Sequence, residues 1–233
     1  MSGKSGPDIV ENGLVLCLDA ANKLSYPGSG TAWTDLSGNS NTGTLTNGPT
    51  FSAGNQGSIV FDGVDDYISG TNNSSLQLLN DLTICAWVKL GSGGNANQGI
   101  FEKMVNNAAA INYSGYGITR QDDYFKFWTA SGGTYAYTNS NITYSSGNNW
   151  YYVVGRRMAG NNRLFINSIL QTDSQSPPLS DSGEVYVIGR YYSNIANTFY
   201  FVGNIAQTSL YNRALTDAEI LQNYNATKSR FGL

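Results

Sequence analysis

Apolar residues in this chain fall mostly at every second position, or in bursts too short for a helix. Leu14, Leu16 and Leu18 alternate with Val15 and Cys17, a strand with both faces largely covered. Leu82, Ile84, Ala86 and Val88 alternate with Thr83, Cys85, Trp87 and Lys89, which predicts a long sandwich strand. Further strands are expected at Ile59–Phe61, from Ile100, at Tyr116–Thr119 and Tyr124–Thr129 as a hairpin, and at Trp150–Gly155. Arg163–Gln171 reads as a second hairpin, turning at Asn167-Ser168. Val185–Arg190 is another strand, Phe199–Val202 one that stops at Gly203, and Ile205–Tyr211 a half-buried one. The pattern changes only near the end. There Thr216 and Glu219 form a capping box, and Ala218, Ile220, Leu221 and Tyr224 lie at helical spacing. An amphipathic helix in a chain of strands has to dock on a sheet, or its apolar stripe stays wet.

Roughly a dozen strands with regular turn signals predict an all-β fold: a two-sheet antiparallel jelly-roll sandwich with one short C-terminal helix. Neither an internal repeat nor a linker interrupts the 233 residues, so one domain is expected over residues 13–233. Residues 1–12 read as a flexible arm, or as a peptide that docks on a larger assembly.

Composition narrows the function. Charged residues make up 12% of the chain, about half the ~25% of an average domain. Gly, Asn, Ser, Thr and Tyr fill the gap, which points to a rigid β-protein with a neutral polar surface. The net charge is −3 and the 13 basic residues form no run. No nucleic-acid partner is therefore expected, and no apolar stretch approaches a bilayer span. The apolar run Leu14–Leu18 ends at Asp19, too short for a signal-peptide core. Histidine is absent, which removes histidine-activated nucleophiles and histidine zinc sites. Cys17 and Cys85 read as packed small hydrophobes, and they could pair only if their strands were neighbours.

Candidate binding chemistry lies in tyrosine-rich polar segments. Tyr113, Tyr116, Tyr135, Tyr137, Tyr144, Tyr191 and Tyr192 sit among Asn, Ser, Thr and Gly. The residues selected as a ligand site are Tyr135, Tyr137, Asn139, Tyr191, Tyr192 and Asn194. Aromatic rings lie against the apolar faces of sugars while amides pair with hydroxyls, and the same chemistry serves protein contacts. Asp62, Asp65 and Asp66 lie close in sequence. Two readings stand for them: turn-capping carboxylates, or ligands of a structural calcium ion, with Asp35, Asp62 and Asp65 as the candidate set. No cofactor is required by any of these patterns.

Several motifs carry a resemblance. "YNRALTDAEI" at Tyr211–Ile220 resembles the closing signature of laminin G-like, concanavalin A-like jelly-roll domains. "LTICAWVKL" and "WYYVVG" are similar to that family's T-x-x-A-W-V and W-Y-H-V strands, with Tyr152 at the histidine position. "GLVLCLDAAN" at Gly13–Asn22, the loop Tyr26–Pro49 and "FDGVDDY" at Phe61–Tyr67 resemble, more narrowly, a group of bacteriophage virion proteins. The family's G-x-I-D-E-V strand reads here Gly203-Asn204-Ile205-Ala206-Gln207, so both of its acids are replaced. The E-x-D-x-E catalytic strand of related glucanases has no counterpart, and Glu102, Glu184 and Glu219 stand isolated.

The resemblance implies a non-enzymatic virion structural or appendage protein, exposed on the particle surface after synthesis in the host cytoplasm. Its expected partners are other virion proteins, further copies of itself, and host surface polysaccharide. Two alternatives remain open: a decoration protein that uses the fold only for packing, and a free carbohydrate-binding module.

Overall fold

Alternation resolves into two stacked sheets in the computed structural model, which describes residues 8–94, 96–107, 112–191 and 199–233. In chain order the first strands are β1 (Leu14–Asp19), β2 (Ala32–Trp33), β3 (Gly43–Thr46), β4 (Thr50–Ser52), β5 (Ser58–Asp62) and β6 (Tyr67–Ser69). The middle of the chain supplies β7 (Leu82–Leu90), β8 (Asn97–Asn107), β9 (Asn112–Gln121), β10 (Tyr124–Ser131), β11 (Thr134–Asn139) and β12 (Trp150–Met158). The remainder are β13 (Asn161–Ile166), β14 (Ile169–Gln175), β15 (Val187–Ile188), β16 (Arg190–Tyr191), β17 (Phe199–Tyr200) and β18 (Val202–Tyr211), followed by helix α1 (Asp217–Thr227).

The first sheet runs β14-β13-β12-β7-β18-β5-β4, with β1 also paired to β18. β18 carries two partners end to end on one edge: β5 beside Val202–Ile205 and β1 beside Gln207–Tyr211. A bulge between Ile205 and Gln207 marks the changeover. The second sheet runs β11-β10-β9-β8-β15-β6-β3-β2, and every pairing in both sheets is antiparallel. This is the sandwich and single helix expected from the alternation.

Tight turns set much of the register. Asp122-Asp123, Ala159-Gly160 and Asn167-Ser168 each have two successive positive φ values, the geometry that matches the twist of two-residue hairpins. At Asn167, the side chain also accepts a hydrogen bond from the Tyr152 amide at 2.9 Å, which offsets the strain at Ser168.

Two cores result. Between the sheets lie Leu82, Ile84, Ala86, Val88 and Leu90 of β7 with Phe101, Ile118, Phe125 and Phe127 from the facing sheet. On the outer side of the first sheet, Cys85, Trp87, Tyr152, Val154, Phe165 and Tyr211 pack under α1 with Ile220 and Phe231. β7 is apolar on both faces because both faces are covered. Trp87 is the hub of the outer core. Its ring is 4.1 Å from that of Phe231, and its Nε1 donates to Thr227 Oγ1 at 2.8 Å.

The helix docks on only part of the expected stripe: Ile220 packs into the outer core and Tyr224 stacks on Trp87, 5.8 Å between ring centroids. Ile220, Asn223 and Thr227 are buried, whereas Leu221 is 47% exposed and Ala218 is exposed. The outer sheet face presents the Trp87 N–H and the Tyr211 hydroxyl, so polar helix residues meet it: Asn223 Nδ2 donates to Tyr211 Oη at 3.0 Å. Residues 8–12 also lack the freedom of an arm. The Val10 amide donates to Asn223 Oδ1 at 2.8 Å, and its carbonyl accepts from Tyr211 Oη at 2.9 Å. Gln222 reaches the carbonyl of Asp8 and Arg213 that of Asn12. Gly203 continues β18 rather than ending a strand.

Cys17 and Cys85 both face Ser209, from opposite sides of β18. Two inter-strand spacings separate them by about 10 Å, beyond the ~7 Å limit for a disulfide. Both are free and buried, and burial pushes each thiol up to about 12.

Candidate functional site

The outer face of the second sheet, across β9, β10 and β11, gathers aromatic rings outside either core. Along β10, Phe125 and Phe127 are fully buried between the sheets, so Lys126 and Trp128 occupy the opposite face. Tyr135 and Tyr137 share one face of β11 and are 47% and 41% exposed. Register places Trp128 beside Tyr137 on one side and beside Gly117 on the other. Ala130 lies likewise between Tyr135 and Gly115. The floor next to the rings is therefore glycine and alanine. A Cβ at Gly115, where φ is +110°, would lie 2.1 Å from the Lys103 carbonyl, so this floor has no room for a side chain.

The rings hold one another in place. Trp128 lies 4.5 Å from Tyr137 and 5.4 Å from Tyr135 between ring centroids. Tyr135 and Tyr137 are nearly parallel, 15° apart, and Tyr113 of β9 meets Tyr135 edge-on at 5.0 Å. Trp128 Nε1 donates to Thr119 Oγ1 at 2.9 Å, which fixes the tilt of the indole. Lys126 Nζ sits 5.0 Å above the Tyr137 ring. The β11 edge is braced by β14: Thr172 donates to the Asn139 carbonyl and Ser174 to that of Tyr137. Four rings with their orientations set in advance, beside a flat floor, make a surface that loses little freedom on contact.

Of the selected residues, Tyr135, Tyr137 and Asn139 share this face. Tyr191 stands in a separate two-stranded element, β16 with β17, its ring 5.9 Å from Phe199. Tyr192 and Asn194 lie outside the described residues. Among the other tyrosines, Tyr116 is a core residue, 2% exposed, whose hydroxyl donates to the Leu76 carbonyl at 2.6 Å. Burial pushes its hydroxyl well above the ordinary tyrosine range. Sequence reasoning missed Trp128. The available signal was its alternation with Phe125 and Phe127, which puts a tryptophan on the solvent side of a strand.

The acidic candidates separate. Asp62, Asp65 and Asp66 offer oxygens within 4.8 Å of one another in the β5–β6 turn. Two of these carboxylates already shape the turn. Asp66 Oδ2 accepts from the Asp62 amide at 3.0 Å, and Asp62 Oδ1 from the Val64 amide at 2.8 Å. Burial, then the neighbouring acids, raise Asp66 above the usual carboxylate range. Asp35 is in a different loop. Its carboxylate accepts from the amides of Cys17, Ser37 and Asn41, at 2.8, 2.9 and 2.9 Å. It ties that loop to the free edge of β1, and it does not belong to the trio.

Glu102, 2% exposed, pairs across the second sheet with Gly117 and Val187. Met104 is next on its strand face, so the two carboxyls needed to flank a glycosidic bond are not supplied by this strand. No helix among the described residues is long and apolar enough to cross a membrane.

A family model described as the concanavalin A-like lectin/glucanases superfamily matches residues 62–221. Among solved structures, the binding domain of Paraclostridial Mosquitocidal Protein 1 is similar, with a TM-score of 0.72 at 18% identity over 93% of this chain and 52% of that one. The botulinum neurotoxin serotype D ligand-binding domain in complex with N-acetylneuraminic acid gives 0.70 at 14% identity, over 92% and 51%. Trypanosoma rangeli sialidase in complex with 2,3-difluorosialic acid gives 0.68 at 15% identity, over 94% and 33%. This chain thus spans about half the length of the toxin domains and a third of the sialidase. No curated protein matches it by sequence.

Proposed function

Because the chain belongs to the concanavalin A-like lectin/glucanases superfamily, we propose that it is a carbohydrate-binding domain without catalytic activity. Its contact surface is the outer face of β9, β10 and β11. One observation carries this reading: Tyr113, Trp128, Tyr135 and Tyr137 form a pre-set ring cluster over Gly115, Gly117 and Ala130 instead of packing into a core. Sugar rings present apolar C–H faces that stack on such surfaces, and the Asn139 side chain offers a hydrogen-bonding group beside them. Binding without turnover accords with the single carboxylate contributed by β8.

The setting in which we place it is a virus particle surface, where the domain contacts host polysaccharide beside other virion proteins. What supports this is the order and spacing of the three motifs at residues 13–22, 26–49 and 61–67, not the toxin and sialidase likeness. For the β5–β6 turn, the hydrogen bonds of Asp62 and Asp66 favour a structural role, and calcium there would be a brace.

The test is a glycan array with the intact protein and Trp128→Ala, in calcium and in chelator. Wild type is expected to bind in both buffers. The variant should lose at least about tenfold in affinity while melting within a few degrees of wild type, since Trp128 belongs to neither core. Equal binding by the variant would remove the ring surface as the site. Binding abolished by chelator would move it to the acidic turn.

A further inference from the structure

Charge on the ring surface narrows the ligand. The outward positions of the three strands are Tyr113, Gly115, Gly117, Thr119 and Gln121 on β9, then Tyr124, Lys126, Trp128 and Ala130 on β10. Tyr135, Tyr137 and Asn139 follow on β11. None is acidic, in a chain whose net charge is −3. The one charged side chain is Lys126, at the end of the ring cluster, in register with Asn139 on one side and Thr119 on the other.

Lys126 makes no ion pair with any described residue, whereas Lys103, Arg120, Arg156, Arg157, Arg163, Arg213 and Arg230 all do. Lys89 and Lys228 also lie over rings, but those rings, Trp150 and Tyr224, pack against the outer core under the helix. Lys126 alone of these stands over a ring that is 41% exposed. The nearest acids along the chain, Asp122 and Asp123, occupy the β9–β10 turn, where Asp123 pairs with Arg120. Charges farther away are screened within ~8 Å at physiological salt, so the local sign decides.

We propose that this surface selects an anionic polysaccharide, with Lys126 as the specificity-determining residue for its carboxylate or sulfate. The proposal rests on the reading of the rings as a sugar-binding surface. Tyr137 and Trp128 take the sugar ring while the ammonium of Lys126, free to rotate on its four-carbon stem, takes the anion. Asn139, in register with Lys126, can take a neighbouring hydroxyl. Tyr135 and Tyr113 extend the rings away from Lys126 along the sheet, which suits inner units of a chain rather than a single terminal sugar in a pocket.

The test uses polygalacturonate, hyaluronate and alginate, each beside its carboxyl-reduced form, at physiological salt. The proteins are wild type, Lys126→Gln, Lys126→Arg and Trp128→Ala. Wild type should prefer at least one acidic polymer over its reduced form by about tenfold, the worth of one charge-assisted hydrogen bond. Lys126→Gln should erase that preference and still bind the reduced polymer, and Lys126→Arg should retain it. Equal binding of acidic and reduced forms by wild type would overturn the anionic ligand and leave the sugar-binding surface standing. The same holds if Lys126→Gln keeps the preference. Undiminished binding by Trp128→Ala would overturn the surface itself, and binding of no polymer by wild type would overturn both.

Discussion

Acid should weaken the grip of the C-terminal helix through one carboxylate. Glu219 accepts from Arg213 Nη1 at 2.9 Å and Nη2 at 2.6 Å, and from the Thr216 amide at 2.8 Å. Its own amide donates back to Thr216 Oγ1, which completes the capping box. The paired arginine, chiefly, holds the carboxyl down at about 2, from an ordinary value of 4.5. A depressed native value means that the ionised form is favoured by folding. The stabilisation is complete above the unfolded value and is lost as pH falls from about 5 to 2. Fully realised, the shift is worth about 3 kcal/mol at ~1.36 per pH unit. The side chain is 26% exposed, and solvent screening reduces the share to about 1–2 kcal/mol. Urea unfolding followed by tryptophan fluorescence reads this directly, because Trp87 lies under the helix. Wild type should exceed Glu219→Gln by about 1–2 kcal/mol at pH 7, and the two should converge near pH 2. A gap that stays constant from pH 7 to 2 would refute the account, since a packing difference does not titrate.

Two further outcomes follow from the outer core. Removing residues 1–12 strips Val10 and its two hydrogen bonds to Asn223 and Tyr211, so the midpoint of urea unfolding should drop by the equivalent of about 2–3 kcal/mol; an unchanged midpoint would show those residues dispensable. Cys17 and Cys85, buried and raised to about 12, should stay silent to a thiol reagent at pH 8 in native protein and both react in denaturant. One rapidly reacting native thiol would contradict the burial of β1 or β7.

Much of the fold is readable from side-chain alternation. β7 and β12 are written as runs with two apolar faces, and the capping box at Thr216 and Glu219 locates the helix start within a residue. What alternation cannot supply is the identity of the neighbour. Asn223 and Thr227 look like solvent residues until Trp87 and Tyr211 are placed beneath them, more than a hundred residues away for Trp87. Val10 looks like part of a loose end until the same two strands bring Tyr211 to it. The ring surface was half visible. Tyr135 and Tyr137 stand two apart, but their meeting with Trp128 depends on the β10–β11 register, and Tyr113 joins only through β9. Asp35 and Asp62 are both turn acids, and sequence gives no sign that separate loops keep them apart.

The docking of residues 8–12 beside α1 also sets an orientation. Both ends of the described chain lie on the outer side of the β7–β12–β18 sheet, with Gln222 bonded to the Asp8 carbonyl. The ring surface lies on the outer side of the other sheet, across the full thickness of the sandwich. Anything joined after Leu233, whether a tag, a second domain or a larger scaffold, is attached at the back. The rings then point outward by default, and a short tether is enough to display them without blocking them.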